Sequence, residues 1–100
     1  MSERVYTREE LVGIVVPLLK KYQAEAAILF GSYARQEADA RSDIDLMVIG
    51  GPLFDLTDVF CLADDLHRIT GKNVDVYERC EISAGTDFYD TILSEGVRLA

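Results

Sequence analysis

One hundred residues carrying a net charge of −8, from ten Lys and Arg against eighteen Asp and Glu, fit one domain with one core, and the acidic balance disfavours nonspecific binding to nucleic acid or an anionic membrane. An apolar content of 49% argues against disorder. The charged N-terminal stretch has no apolar signal core, no apolar run nears the roughly 18 residues of a membrane span, and Cys61 and Cys80 with a single His do not make a zinc pattern, so the expectation is a cytoplasmic protein with two reduced thiols.

Thr7-Arg8-Glu9-Glu10 has the form of a capping box, with Thr7 as N-cap and Glu10 reaching back. Leu11, Ile14, Val15, Leu18 and Leu19 then recur at helical spacing, which predicts an amphipathic helix over 8–22, kinked or weakened by Pro17. Ala26 to Phe30 is an apolar run that stops at Gly31 and reads as a buried strand. The polar stretch 33–41 predicts a short helix at its beginning, and Ile44 to Ile49 a second strand, closed by Gly50-Gly51-Pro52.

Leu56, Val59, Phe60, Ala63, Leu66, His67 and Thr70 keep helical period, and Gly71 is placed to end the helix, so one is expected from about 54 to 70. Asn73 to Tyr77 predicts a third strand. Residues 86–95 predict a last helix with Phe88, Ile92 and Leu93 on its apolar side, and the tail 96–100 a short extended piece. Strands alternating with helices imply a layered α/β domain over residues 1–100, a small mixed sheet with helices mainly on one face and a charged site on the other.

The chemistry centres on residues 30–50. In a strand, residues i and i+2 point to the same face, roughly 6.6–6.8 Å apart along the chain. Asp43 and Asp45 therefore aim into one space, while Ile44, Leu46 and Val48 aim the other way. Asp75 alternates with Val74 and Val76 in the third strand and joins them if the two strands lie side by side in register. Three carboxylates in one place repel unless hard cations neutralise them. Mg²⁺ prefers oxygen ligands and keeps waters and substrate phosphates, and two such ions about 3.5–4 Å apart serve in-line displacement at phosphorus.

Upstream, Gly31-Ser32 follows a strand and opens a helix, offering close backbone approach, free N–H groups and a hydroxyl to an anion. A triphosphate cradle ten residues before a metal-binding carboxylate pair points to nucleotidyl transfer from a nucleoside triphosphate.

Gly-Ser, ten residues, then Asp-x-Asp, in the text GSYARQEADARSDIDLMV, resembles the signature of the polymerase-beta-like nucleotidyltransferases, and most closely the minimal nucleotidyltransferase antitoxins paired with HEPN toxins. Carried over by position, the resemblance implies that Gly31 and Ser32 hold the triphosphate, that Asp43 and Asp45 bind both Mg²⁺ ions, and that Asp75 holds the catalytic ion and helps activate the attacking hydroxyl. Arg35 is read either as a phosphate contact or as a pin of the loop to the Asp-rich segment. One departure is Gln36, where the small family usually has Gly after the Ala-Arg pair.

The implied reaction is transfer of AMP from ATP to a tyrosine of a HEPN-type toxin. No direct nucleic-acid partner is expected, and the incomplete cleft of so small a domain implies a homo- or hetero-oligomer. Alternatives are transfer to a small molecule such as an aminoglycoside, with a separate substrate-binding subunit, and a binding-only antitoxin. Tyr33 is expected as a loop side chain, His67 as a boundary residue of its helix, and Asp64-Asp65 and residues 78–81 as solvated surface.

Overall fold

The structure is a computed structural model that describes residues 4–100; residues 1–3 of the expected 1–100 domain lie outside them. The capping box forms as read. Glu10 N–H donates to Thr7 Oγ1 (3.1 Å) and Thr7 N–H donates to Glu10 Oε1 (2.9 Å), satisfying two amides that the first turn would leave without partners. Helix α1 (Arg8–Tyr22) follows and buries Leu11, Val15, Leu18 and Leu19. Pro17 does not break it. The bond Pro17 removes would have reached the carbonyl of Gly13; both residues are exposed, so water can serve that carbonyl.

Strand β1 (Ala26–Phe30) runs directly into α2 (Gly31–Ala34), a single turn that opens at Gly31-Ser32 as read and gives way to an irregular loop reaching β2 (Ile44–Ile49). Helix α3 (Asp58–Thr70) begins four residues after the expected start, because the segment after Gly51 folds into turns that tuck Phe54 over Gly50, where a Cβ would meet the Phe54 ring. Gly71 ends it in the left-handed conformation, φ 71°, with its N–H donating to His67 O. Strand β3 (Val74–Glu78), a 3₁₀ turn (Arg79–Glu81), α4 (Asp87–Glu95) and β4 (Val97–Arg98) complete the chain.

The sheet order is β3-β2-β1-β4, with β2 parallel to β3 and β1 antiparallel to both β2 and β4. Alternation along the strands divides the side chains between two faces. Leu29, Ile44, Leu46 and Val48 join Leu11, Val15 and Leu19 of α1 and Val59, Leu62 and Leu66 of α3 in the main core. Phe30 and Met47 point the other way and are covered by Ile82 and Ile92. The helices are therefore mainly on one face, as expected, but α4 roofs part of the other. Trimming a central side chain such as Leu46 to Ala would cost roughly 2–5 kcal/mol.

Helical spacing found the inward side of both helices, with Val59, Leu66 and Thr70 buried in α3 and Ile92 in α4, but misplaced individual residues. In α3 the buried stripe is Val59, Leu62 and Leu66, whereas Phe60 is 75% exposed and Leu56 precedes the helix and is exposed. In α4 Ile92 is buried and Phe88, though partly exposed, packs its ring on Phe30 and Tyr77, whereas Leu93 faces outward. Both segments carry apolar residues on two sides, and periodicity alone does not say which of them meet the sheet.

Polar burial was missed as well. Asp65, expected as solvated surface, is 7% exposed. It accepts from Tyr22 Oη (2.5 Å) and Lys21 Nζ (3.1 Å) and pairs with Arg68, tying α1 to α3. Glu78, also expected in solvent, is buried and accepts from Cys80 N–H (2.8 Å) to cap the 3₁₀ turn.

Candidate active site

The parallel pairing of β2 and β3 sets Asp45 opposite Asp75, and the antiparallel pairing of β1 and β2 sets Phe30 opposite Asp45. One row across the sheet thus reads Phe30, Asp45, Asp75, on the face away from the main core. Asp43 lies just before β2, two residues back from Asp45, and is exposed, as is Asp75; Asp45 is half-buried. On its other side Asp45 meets the start of α2. Gly31 has φ +73°, and a Cβ there would run into Asp45 Oδ2. Gly31 is therefore required twice, by its left-handed backbone and by the carboxylate beside it.

This placement unsettles Asp45. Its carboxyl is held up to about 6, first by burial and then by the charges of Asp75 and Asp43, with Arg35 pulling in the opposite direction. Phe30, Tyr77 and Phe88 form a cluster of rings with centroids 5.7–6.2 Å apart on the same face. The Tyr77 hydroxyl is pushed up in turn, by burial and then by Asp75 and Asp45.

Other residues position the acids. Lys72 is buried and its Nζ donates to Ala40 O (3.0 Å), while Ile44 N–H donates to Asn73 O (3.0 Å), so the loop that delivers Asp43 is tied to the turn that delivers Asp75. Nothing in the sequence pattern marked Lys72; a buried lysine is recognised only from its surroundings. Asp39 shapes the same loop by accepting from Arg41 N–H (2.8 Å), and that bond holds its carboxyl below the usual range. Arg35 pairs with Glu37 and with Glu95 of α4 at 3.0 Å each, pinning the loop to α4 rather than to the aspartates. Tyr33 is not a loop side chain: it is buried in the main core, beside a cavity of about 420 Å³ that contains none of the three aspartates.

Gln36, the departure from the glycine of similar sequences, sits at φ 59°. The position does call for a left-handed residue, and Gln occupies it at a cost of roughly 1–2 kcal/mol relative to glycine. The loop keeps its shape despite the substitution: Gln36 N–H donates to Tyr33 O and Glu37 N–H to Ser32 O.

The donor set has the chemistry for a hard cation. It is all carboxylate oxygen, and burial together with the charges of Asp75 and Asp43 outweighs the pull of Arg35 on the Asp45 carboxyl. Among the described residues no three such side chains converge closely enough to enclose an ion by themselves.

The family described as Polymerase beta, Nucleotidyltransferase matches residues 15–100. A candidate protein adenylyltransferase of Methanocaldococcus jannaschii, MJ0435, is 42% identical over 67 residues, covering 67% of this chain and 72% of the relative. Among solved structures, a candidate minimal nucleotidyltransferase superimposes with a TM-score of 0.75 at 27% identity over 92% of this chain and 95% of its own. A chain of a toxin–antitoxin complex with AMP-PNP gives 0.76 at 24% identity, over 89% of this chain and 72% of its own. A chain of a tri-AMPylated Shewanella oneidensis HEPN toxin in complex with its MNT antitoxin gives 0.71 at 22%, over 94% and 72%. These last two likenesses speak to the fold. The chain belongs to the polymerase beta nucleotidyltransferase family, and its fold is that of the minimal members.

Proposed function

We propose that this nucleotidyltransferase moves AMP from ATP to a hydroxyl of a partner protein, and that the partner is a HEPN-type toxin silenced by the modification. The single observation that carries the reading is the register that sets Asp45 beside Asp75, with Asp43 two residues away and Gly31-Ser32 against Asp45. The choice of acceptor is supported by the adenylyltransferase name of the M. jannaschii relative and by structural neighbours described as toxin–antitoxin complexes, one with AMP-PNP and one with an AMPylated toxin.

In this reading residues 1–100 form one minimal domain, and the partner completes the cleft. The backbone at Gly31 and the Ser32 hydroxyl hold the triphosphate, with Arg35 near enough to influence Asp45 and so able to contribute positive charge. Asp43, Asp45 and Asp75 would hold two Mg²⁺ ions, which when bound neutralise the acids and the charge on the phosphate oxygens. The acceptor oxygen attacks the α-phosphorus, the bond to the β-phosphate bridging oxygen breaks, pyrophosphate leaves, and the Asp75 carboxylate takes the hydroxyl proton. Exposed free thiols at Cys61 and Cys80 suit a reducing, cytoplasmic setting.

The test is to mix the chain with a HEPN-type toxin, ATP and Mg²⁺ and to weigh both proteins intact. The toxin should gain adenylate mass with wild type and none with Asp43→Asn combined with Asp45→Asn. Protection of cells by that double variant, with no mass on the toxin, would overturn the catalytic reading in favour of binding alone.

A further inference from the structure

Strand β3 is an edge strand, and beyond it the acids open into a cleft of about 420 Å³ lined by Asp43, Asp64, His67, Asn73 and Asp75. Asp43 and Asp75 thus face two ways. Through Asp45 they adjoin the Gly31-Ser32 turn; on the other side they share a space with the last turns of α3. Asp64 and His67, three residues apart, stand on one side of that helix. From the sequence, His67 reads only as a boundary residue.

The His67 side chain is exposed, and its ring is oriented by one bond. Its Nδ1 lies 2.7 Å from Lys72 O. A carbonyl oxygen only accepts, so Nδ1 must carry the proton, and Nε2 is then an unprotonated acceptor in the neutral ring. The bond also orients the imidazole, because Lys72 is itself anchored to Ala40. The cleft therefore offers a preset nitrogen acceptor beside carboxylates, with no cationic side chain along its lining. A segment that fits this lining brings N–H donors or positive charge.

We infer that this cleft is the acceptor side of the site, that it receives the part of the acceptor chain flanking the reacting hydroxyl, and that His67 Nε2 accepts a hydrogen bond from it. The inference rests on the protein-adenylylating reading above and adds the substrate class: a hydroxyl set in a basic, N–H-rich segment. His67 is a specificity residue here, and the proton of the reacting hydroxyl still goes to Asp75.

Two substitutions separate this role from a structural one. His67→Asn retains a donor at the δ position for Lys72 O but removes the atom at Nε2. His67→Gln retains a polar acceptor at the ε position and gives up the bond to Lys72. Initial rates of adenylate transfer to the toxin, with toxin and ATP varied in turn, should show the acceptor KM raised roughly threefold to tenfold in His67→Asn, the size of one lost hydrogen bond, with the KM for ATP unchanged. His67→Gln should restore most of the acceptor affinity. The opposite order, with Gln the weaker variant and its melting temperature lowered, would overturn the inference and leave His67 as a helix-end brace. Equal acceptor KM in all three proteins would overturn it too. Absence of transfer by wild type would instead sink the protein-adenylylating reading, and this inference with it.

Discussion

Two aspartates kept from water in this chain meet opposite fates. Asp65 is covered by Tyr22, Lys21 and Arg68, whose donors hold its carboxyl below the ordinary range, first through the tyrosine hydroxyl and then the lysine. It is covered rather than deep, since the Lys21 and Arg68 side chains that close over it are themselves largely exposed. Asp45 has no such set of donors. Apolar rings lie on its own face of the sheet, two further acids lie near it, and its carboxyl rises to about 6. One carboxylate is satisfied by the chain itself and holds helices together. The other is left in need of positive charge from outside, which is what a site for cations and triphosphate requires.

The comparison breaks first on activity. Asp45→Asn should lower adenylate transfer by about a thousandfold or more, the scale on which a principal electrostatic group acts at a transition state, read as initial rates of toxin modification. Asp65→Asn should leave the rate near wild type while lowering the melting temperature by several degrees, because Lys21 and Arg68 lose their counter-charge. Equal activity in the two variants would remove the distinction.

Gly31→Val tests the phosphate side. It imposes a branched residue at φ +73° and drives a Cβ into Asp45, so titration with a nonhydrolysable ATP analogue and Mg²⁺ should show no measurable binding. Ser32→Ala should cost less, up to roughly 1.5–3 kcal/mol for a hydrogen bond to a charged group. Unchanged affinity in Gly31→Val would move the triphosphate elsewhere.

A smaller effect concerns pH. An acid whose folded value is raised stabilises the fold while protonated and loses that contribution as pH rises through its titration range. With chelator present, wild type should therefore lose stability relative to Asp45→Asn between about pH 4 and about pH 6 and stay below it at pH 7. The full shift corresponds to about 3 kcal/mol, and screening by solvent at this half-buried site reduces it. Denaturant unfolding across that range gives the difference directly; parallel curves would mean that Asp45 is not crowded.

The smallest effect is at Gln36. Replacing it with Gly relieves the left-handed backbone, partly offset by the greater freedom of the unfolded chain, and should raise stability by about 0.5 kcal/mol in the same unfolding measurement. A loss of stability would show that the Gln36 side chain contributes more than its backbone strain costs.

These residues also show what the sequence could carry. The limits of β1 and β2, the capping box and the alternation of Asp45 with Leu46 were legible because each follows from spacing within a few residues. The likeness of the GSYARQEADARSDIDLMV text to known nucleotidyltransferases named the family before any coordinates. What spacing could not show was the placement of individual residues and their partnership. Phe60 and Leu62 are both apolar, and only the sheet decides that Leu62 goes inside. Asp64 and Asp65 are adjacent and alike, and only the approach of α1 with Lys21 and Tyr22 makes one of them structural. The meeting of His67 with Asp43 and Asp75 depends on α3 ending beside the sheet edge, which no local pattern records.

The most direct test of the central claim is a melting-temperature titration with Mg²⁺ and a nonhydrolysable ATP analogue at pH 7.5 for wild type, Asp65→Asn and Asp45→Asn. Binding to the folded state alone at a hundred times its dissociation constant adds about 2.7 kcal/mol, enough to move a small domain by several degrees. Wild type and Asp65→Asn should both rise by that amount from their different starting points, and Asp45→Asn should start no lower than wild type and stay flat. An Asp45→Asn protein that rises in parallel with the other two would contradict the assignment of this carboxylate to the metal and triphosphate site.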